Sequence, residues 1–191
     1  MNRFAILAVI VGSGACAAAW QARPAPESPR EPVRVSAEVA RVQEQQTTMD
    51  IDAALNEFHD AASKSDAQRY FALWTPESVF LGTDATERWV GAEFEAFARP
   101  YFEKGKGWTY RPRDRRITSL PGGSAYFDEL LENDKLGVCR GSGVVRVVDG
   151  RWKVMQYNLS IPIPNDLAER VVGLIRSGAP KEPEGERKHQ E

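Results

Sequence analysis

The sequence predicts an α+β domain, with helices packed on one face of a curved antiparallel sheet. Three observations carry that prediction. In the first half, Ile51, Leu55, Phe58 and Ala62 recur at i, i+4, i+7 and i+11, the spacing of one helix face. From Trp108 to Ile161 the chain instead reads as long strand-like runs, broken by turn signals at "PGG", "ENDK" and "DG". Helices followed by a run of strands segregate the helices to one side of a sheet.

Taken in order, the first helix starts near Asp50, a plausible N-cap, with Asp52 in its first turn, and "SKSD" breaks it. Asp66 can cap a short second helix that turns Tyr70, Phe71 and Trp74 inward. Thr75-Pro76 ends it, because a residue before proline avoids helical geometry. "SVFLG" and "ERWV" read as two short strands around a polar loop. "GAEFEAFARPYFEKGKG" is a third helix with Phe94, Phe97 and Tyr101 along one side, shortened or kinked at Pro100. Four strands follow, within "GWTYRPRDRRITSL", "SAYFDELL", "GVCRGSGVVRVV" and "RWKVMQYNLSIPI". A closing helix carries Leu167, Val171, Leu174 and Ile175 at helical spacing.

The flanks differ in character. Residues 1–22 show a secretory signal pattern: Arg3, an apolar run from Phe4 to Val11, and Ala17 and Ala19 placed for a cut before Trp20. The rivals are a lipoprotein cut before Cys16 and an uncut anchor, which the run is short to provide. All three readings put the domain outside the cytoplasm, periplasmic or secreted, with membrane attachment only through a lipid anchor at Cys16 or the uncut segment. Residues 23–48 read as a proline-rich linker whose polar end, "SAEVARVQEQQTT", reads as a frayed helix at most, 49–177 as the folded domain and 178–191 as a disordered tail. Cys16 and Cys139 are the two cysteines, so the domain does not depend on a disulfide. The net charge is −2 and the basic residues are dispersed, which argues against nucleic acid as a partner. The densest basic group, "RPRDRR" from Arg111 to Arg116, reads as the exposed face of a strand. No metal-ligand constellation, phosphate loop or nucleophile elbow is present, and no cofactor is expected.

The order of elements, with "GTDATERWVG" before the third helix and "DGRWKVMQYNLS" as the last strand, resembles the SnoaL-like proteins of the nuclear transport factor 2-like superfamily. The likeness spans about Asp50 to Ile161. It implies a cone, in which a curved sheet wraps helices around a pocket. Some relatives of this kind are enzymes, including ketosteroid isomerases and polyketide cyclases; many others bind ligands or only dimerise. Many carry histidines on the pocket face of the last strand, where this chain has Gln156 and Asn158. That departure weighs against a histidine acid/base mechanism on that strand.

Asp149-Gly150 is a strong two-residue hairpin signal, which pairs Val148 with Arg151. Counting back from it places Val147 opposite Trp152, Val145 opposite Val154, Gly143 opposite Gln156 and Gly141 opposite Asn158. Trp152, Gln156 and Asn158 are therefore expected in the pocket. Val144, Met155, Tyr157 and Leu159 are expected on the convex face, as a homodimer interface. Asp128 and Glu129 point to opposite faces, and the "ENDK" turn does not fix which of them enters the pocket as a candidate general base. Trp108 and Tyr110 alternate with Thr109 and Arg111 and complete the expected ligand-binding set. His59 sits at the edge of the first helix's apolar stripe and reads as a packing residue. The loop from Gly82 to Trp89 reads as a structural turn in preference to a binding rim. The expected function is an exported, non-catalytic domain that binds a small apolar ligand or acts as a dimeric scaffold. The alternative is an isomerase, cyclase or hydratase using Asp128 or Glu129 as base and Gln156, Asn158 or Tyr110 as donors.

Overall fold

The computed structural model describes residues 36–178. The expected signal segment, the start of the linker and the tail from residue 179 lie outside them. The described elements are α1 (Ala37–Ser63), α2 (Ala67–Phe71), β1 (Trp74–Leu81), β2 (Arg88–Val90), α3 (Ala92–Glu103), β3 (Arg111–Leu120), β4 (Ser124–Asn133), β5 (Gly137–Val148), β6 (Arg151–Ser160), a 3₁₀ turn (Asn165–Leu167) and α4 (Ala168–Arg176).

Helix α1 begins well before Asp50. Ser36 is its N-cap, with Oγ accepting from the Val39 N–H at 3.3 Å. Its first turns are held by polar i,i+4 contacts, such as Gln46 Nε2 donating to Asp50 Oδ1 at 2.8 Å. Residues 37–48, expected as linker, are thus helical. They bury no apolar stripe, so periodicity could not reveal them. Beyond Asp50 the helix does bury one, through Ile51, Leu55, Phe58, His59, Ala61 and Ala62. It ends at Ser63, and Asp66 caps α2 by accepting from Arg69 N at 3.0 Å. Trp74 opens β1 rather than extending α2. In α3 the buried residues are Phe94, Ala98 and Phe102, one position away from the expected Phe97 and Tyr101 on the following turns.

The six strands form one sheet in the order β2-β1-β6-β5-β4-β3. It is mixed, not wholly antiparallel: β1 runs parallel to β6, the other pairs antiparallel. No hairpin joins β1 to β6, so no turn signal in the sequence fixes their relative direction. The β1–β6 ladder is irregular between Trp74 and Val79, where Pro76 has no N–H to contribute. Ser78 repairs it, donating from Oγ to the Val154 carbonyl at 2.6 Å and accepting from Thr75 N at 2.8 Å.

The β5–β6 hairpin decides which residues face the helices. Asp149 and Gly150 both have positive φ, 50° and 73°, as a type I′ turn requires. Val148 pairs with Arg151, Val147 with Trp152 and Val145 with Val154, as the count back from the turn predicts. Then Val144 pairs with Gln156, so Met155 is an extra residue on β6. This bulge exchanges the two faces beyond it. Gly143 accordingly faces Tyr157 and Gly141 faces Leu159. Gly143 has room for no side chain, because a Cβ there would lie 2.0 Å from the Gln156 carbonyl oxygen. The two strand glycines accommodate the bulged neighbour strand and its side chains.

The core lies between α1, α3 and the concave sheet face. It includes Phe80, Ala125, Phe127, Leu131, Cys139, Val145 and Val154. The convex face carries Tyr126, 49% exposed, beside half-buried Val144. The apolar stripe of α4 stays exposed, with Leu174 at 55% and Ile175 at 72%. That helix does not cover the convex face within this chain.

Candidate functional site

Two bulges and one helix face assemble a buried polar cluster. On α1, His59 follows Leu55 by four residues and falls on the buried stripe. On β4, Ala125, Phe127, Glu129 and Leu131 all face the core by strand alternation, so Glu129 occupies a core position and is 0% exposed. On β3 a bulge between Arg113 and Arg116 interrupts the ladder. Asp114 adopts φ 50°, which aspartate tolerates better than most residues. The bulge turns Arg115 inward, leaving its side chain 7% exposed. On β6 the Met155 bulge turns Tyr157 inward.

Glu129 receives three donors. His59 Nε2 lies 2.7 Å and the Tyr157 hydroxyl 3.0 Å from Oε1; Arg115 Nε lies 2.7 Å from Oε2. Arg115 Nη1 donates onward to Asp52 Oδ1 at 2.7 Å, Asn56 Oδ1 at 2.8 Å and the Asp52 carbonyl at 3.1 Å. A buried carboxylate needs such partners to remain ionised. Burial pushes the Glu129 pKa up, but the His59 hydrogen bond and the charges of His59 and Arg115 outweigh it, leaving it below the usual carboxylate value. Burial, helped by the Glu129 charge, pushes the Tyr157 phenol well above its usual value. Tyr157 therefore keeps its proton and donates. A carboxylate at Oε1 is matched by a proton on His59 Nε2, so that nitrogen is the ring's donor to Glu129. Gly141 makes the meeting sterically feasible: a Cβ there would sit 2.2 Å from the Tyr157 hydroxyl and 2.9 Å from Glu129 Oε1.

His59 and Tyr157 form part of the wall of a cavity of about 200 Å³. The remaining wall is chiefly aromatic, including Phe58, Phe80, Trp89, Phe94, Trp108 and Tyr110. Phe80 stacks on Phe94 with centroids 4.3 Å apart and planes 6° off parallel, and Trp89 stacks on Phe97 at 4.4 Å. Gly82, Thr83 and Glu87 add a polar side. The loop between β1 and β2 is thus both a turn and a cavity wall. Asp84 Oδ1 organises it, accepting from Thr86 N at 2.8 Å.

The sequence-predicted residues divide. Trp108 and Tyr110 line the cavity, though they precede β3 rather than lying within it. Burial raises the Tyr110 phenol to about 12, with smaller contributions from Cys139 and Glu87. Glu129 faces inward behind the His59–Tyr157 wall, whereas Asp128 pairs with Ser142 on the convex face and is no candidate base for the cavity. Gln156 and Asn158 also lie on the convex side, opposite Val144 and Ser142, because of the Met155 bulge. Trp152 packs against the core near the hairpin end and is not a cavity residue. Sequence reasoning missed Arg115 and undervalued His59. The position of His59 four residues after Leu55 was a usable signal. The inward turn of Arg115 had none, because it depends on a bulge. Among the described residues no cluster of side chains is suited to a metal ion.

Fold and site together define an α+β domain in which helices pack on a curved mixed sheet beside an aromatic-lined cavity. Residues 51–164 match the family model of the SnoaL-like domain, and the chain belongs to that family. No curated protein matches the chain. Among solved structures, it is similar to an uncharacterised cystatin-like-fold protein from Caulobacter vibrioides, with 15% identity and a TM-score of 0.55, covering 68% of this chain and 99% of that one. A candidate dehydratase of the NTF2-like family from Streptomyces avermitilis aligns at 14% identity and a TM-score of 0.54, covering 63% and 99%. A cystatin-like-fold protein from Burkholderia xenovorans aligns at 19% identity and 0.53, covering 64% and 97%. At these identities the likeness is one of fold.

Proposed function

We propose that this chain is a small-molecule-binding domain whose ligand enters the aromatic cavity and directs one polar group at His59. The observation that carries the reading is a cavity of about 200 Å³ walled by aromatic rings, with His59 and Tyr157 in that wall each hydrogen-bonded to Glu129 behind it. Apolar walls with a few convergent polar groups are the usual make-up of a ligand site. Tryptophan fluorescence tests it, since Trp89 and Trp108 are both wall residues. One-ring phenols and ketones are expected to give saturable quenching, which Leu159→Trp abolishes by filling the cavity. Failure of the wild-type chain to bind any of them sinks the reading.

One observation favours a second reading, a proton-transfer enzyme of isomerase or dehydratase type. His59 Nε2 sits 2.7 Å from a carboxylate that is itself anchored by Arg115 and Tyr157. That arrangement fixes the ring tautomer and stabilises the imidazolium formed when Nδ1 takes a proton. Glu129 then orients His59 and is not the base. Deuterium uptake at the α-carbon of a bound ketone, lost in His59→Asn, would support catalysis. Binding without exchange would leave the binding domain alone.

We also propose export, on the Arg3, apolar-run and Ala-x-Ala order of the first residues; full-length protein with an intact Met1 end in the cytoplasm would refute it. Homodimerisation through the convex face remains a proposal, with its apolar content reduced. Tyr157 and Leu159 point inward, leaving Tyr126, Val144 and Met155. Sedimentation tests it: a dimer that Tyr126→Glu dissociates supports the interface, and a monomer at high micromolar concentration rules it out.

A further inference from the structure

We propose that the cavity's ligand is a small organic cation, an ammonium group carried on an apolar body. The proposal rests on the reading of the cavity as a small-molecule site and assigns the charge of what it takes. Two features point the same way.

The first is the wall. The faces of aromatic rings carry the negative lobe of the ring quadrupole, and tryptophan is the strongest cation acceptor among them. Two tryptophans, Trp89 and Trp108, stand in this wall with Phe80, Phe94, Phe97 and Tyr110.

The second is the balance of charge. Glu87 lies on the same wall and, among the described residues, has no ion-pair partner. Its Oε2 accepts one hydrogen bond, from the Asp84 backbone N–H at 3.2 Å. The side chain folds across Gly82, whose missing Cβ would stand 2.2 Å from that same oxygen. The loop thus holds the Glu87 side chain along the cavity wall. No lysine or arginine lines the cavity. Arg115 lies behind the wall, with Glu129 and Asp52 as its counter-charges. Tyr110 and Tyr157 keep their protons and present hydroxyls. An anion would meet Glu87 and the aromatic wall, while His59, the base in that wall, is already directed at Glu129 through Nε2. A neutral guest could offer Glu87 a hydrogen bond but no opposite charge. An ammonium satisfies both features.

The test uses a matched pair on the whole mature protein, by titration calorimetry. 4-Hydroxyphenyltrimethylammonium and 4-tert-butylphenol have the same shape and the same hydroxyl, and differ in one atom and one charge. The ammonium is expected to bind about tenfold tighter, although the tert-butyl compound is the more hydrophobic of the two. Glu87→Gln is expected to remove most of that preference and to leave 4-tert-butylphenol unchanged. Equal or tighter binding of 4-tert-butylphenol by the wild-type chain overturns the cation assignment while leaving the cavity reading intact. Glu87→Gln weakening both compounds alike also overturns it, because Glu87 would then be supporting the loop. Failure of both compounds to bind removes the cavity reading and this inference together.

Discussion

Gly141→Ala tests the buried cluster more directly than removal of any charged group. The added Cβ would lie 2.2 Å from the Tyr157 hydroxyl, 2.8 Å from its Cζ and 2.9 Å from Glu129 Oε1. Relief to an ordinary contact requires Tyr157 to move by about 1 Å, in a site where packing leaves no slack. That displacement breaks the 3.0 Å hydrogen bond to Glu129. A hydrogen bond to a charged group contributes about 1.5–3 kcal/mol. Overpacking adds about 1–3 kcal/mol, and replacing a strand glycine returns about 0.5–1 kcal/mol. The net loss expected is about 2–5 kcal/mol, read as a lower urea midpoint with an unchanged slope. Gly173→Ala is the control, with no atom within 4 Å of its added Cβ; there a helical glycine gives way to a better helix former and stability rises. Tyr157→Phe removes the atom nearest the new methyl, so the double variant should lose less than the sum of the two singles. A Gly141→Ala chain within about 0.5 kcal/mol of wild type, or strict additivity with Tyr157→Phe, would refute the geometry, since surface-like tolerance has that size.

The lowered pKa of Glu129 gives its stability contribution a sign. Relative to the ordinary value of 4.5, the unfolded chain takes up the proton first, so the contribution is complete above that value and falls as pH drops below it. Urea titrations stepped through the acid range should show this loss, and Glu129→Gln should flatten it; a wild-type profile already flat there contradicts the assignment. Arg115→Met leaves Glu129 buried without its guanidinium partner and should lose about 3–5 kcal/mol in the same assay, with Arg115→Lys recovering part of it. Gly150→Ala isolates backbone strain, because its φ is 73° and no atom lies within 4 Å of the added Cβ; a loss of about 1–2 kcal/mol is expected, and none would mean the turn is not of this type.

Whatever announced itself through apolar spacing or turn chemistry could be read from the sequence. Ile51, Leu55 and Phe58 placed the buried half of α1, and Asp149-Gly150 placed the hairpin and its first paired residues. The extension of α1 back to Ala37 left only the hint of a frayed helix, because that segment is largely solvated and holds itself by capping and i,i+4 contacts. The site was lost at single residues. Met155 inserts one position into β6, so Tyr157 and Leu159 exchange faces with Gln156 and Asn158. A bulge at Asp114–Arg115 turns one residue of an apparently solvated basic run into the partner of a buried glutamate. A bulge involves small energies and no fixed residue type, while a strand period of two makes each one reverse every assignment beyond it. Alternation was the right argument, but it was carried across two points where the chain changes step.

A buried ion pair is by itself weak grounds for function, because an apolar replacement of the same shape often gives an equally stable core. The arrangement around Glu129 goes beyond what a core requires. Arg115 alone would neutralise its charge, yet His59 and Tyr157 are also directed at its other oxygen, and both of them are cavity wall. The carboxylate therefore sets the orientation of two groups of the cavity wall without itself lining the cavity. Arg115 in turn is held by Asp52 and Asn56 on α1, the helix that carries His59. Movement of α1 against β3 would shift the anchor and the histidine together. A structural role predicts that replacing His59, Arg115 and Glu129 together by apolar residues of similar volume preserves both fold and ligand affinity. A role in the site predicts a folded chain whose affinity for a phenol falls about tenfold or more, the scale of one lost buried hydrogen bond. The two outcomes separate by measuring melting and binding on the same triple variant.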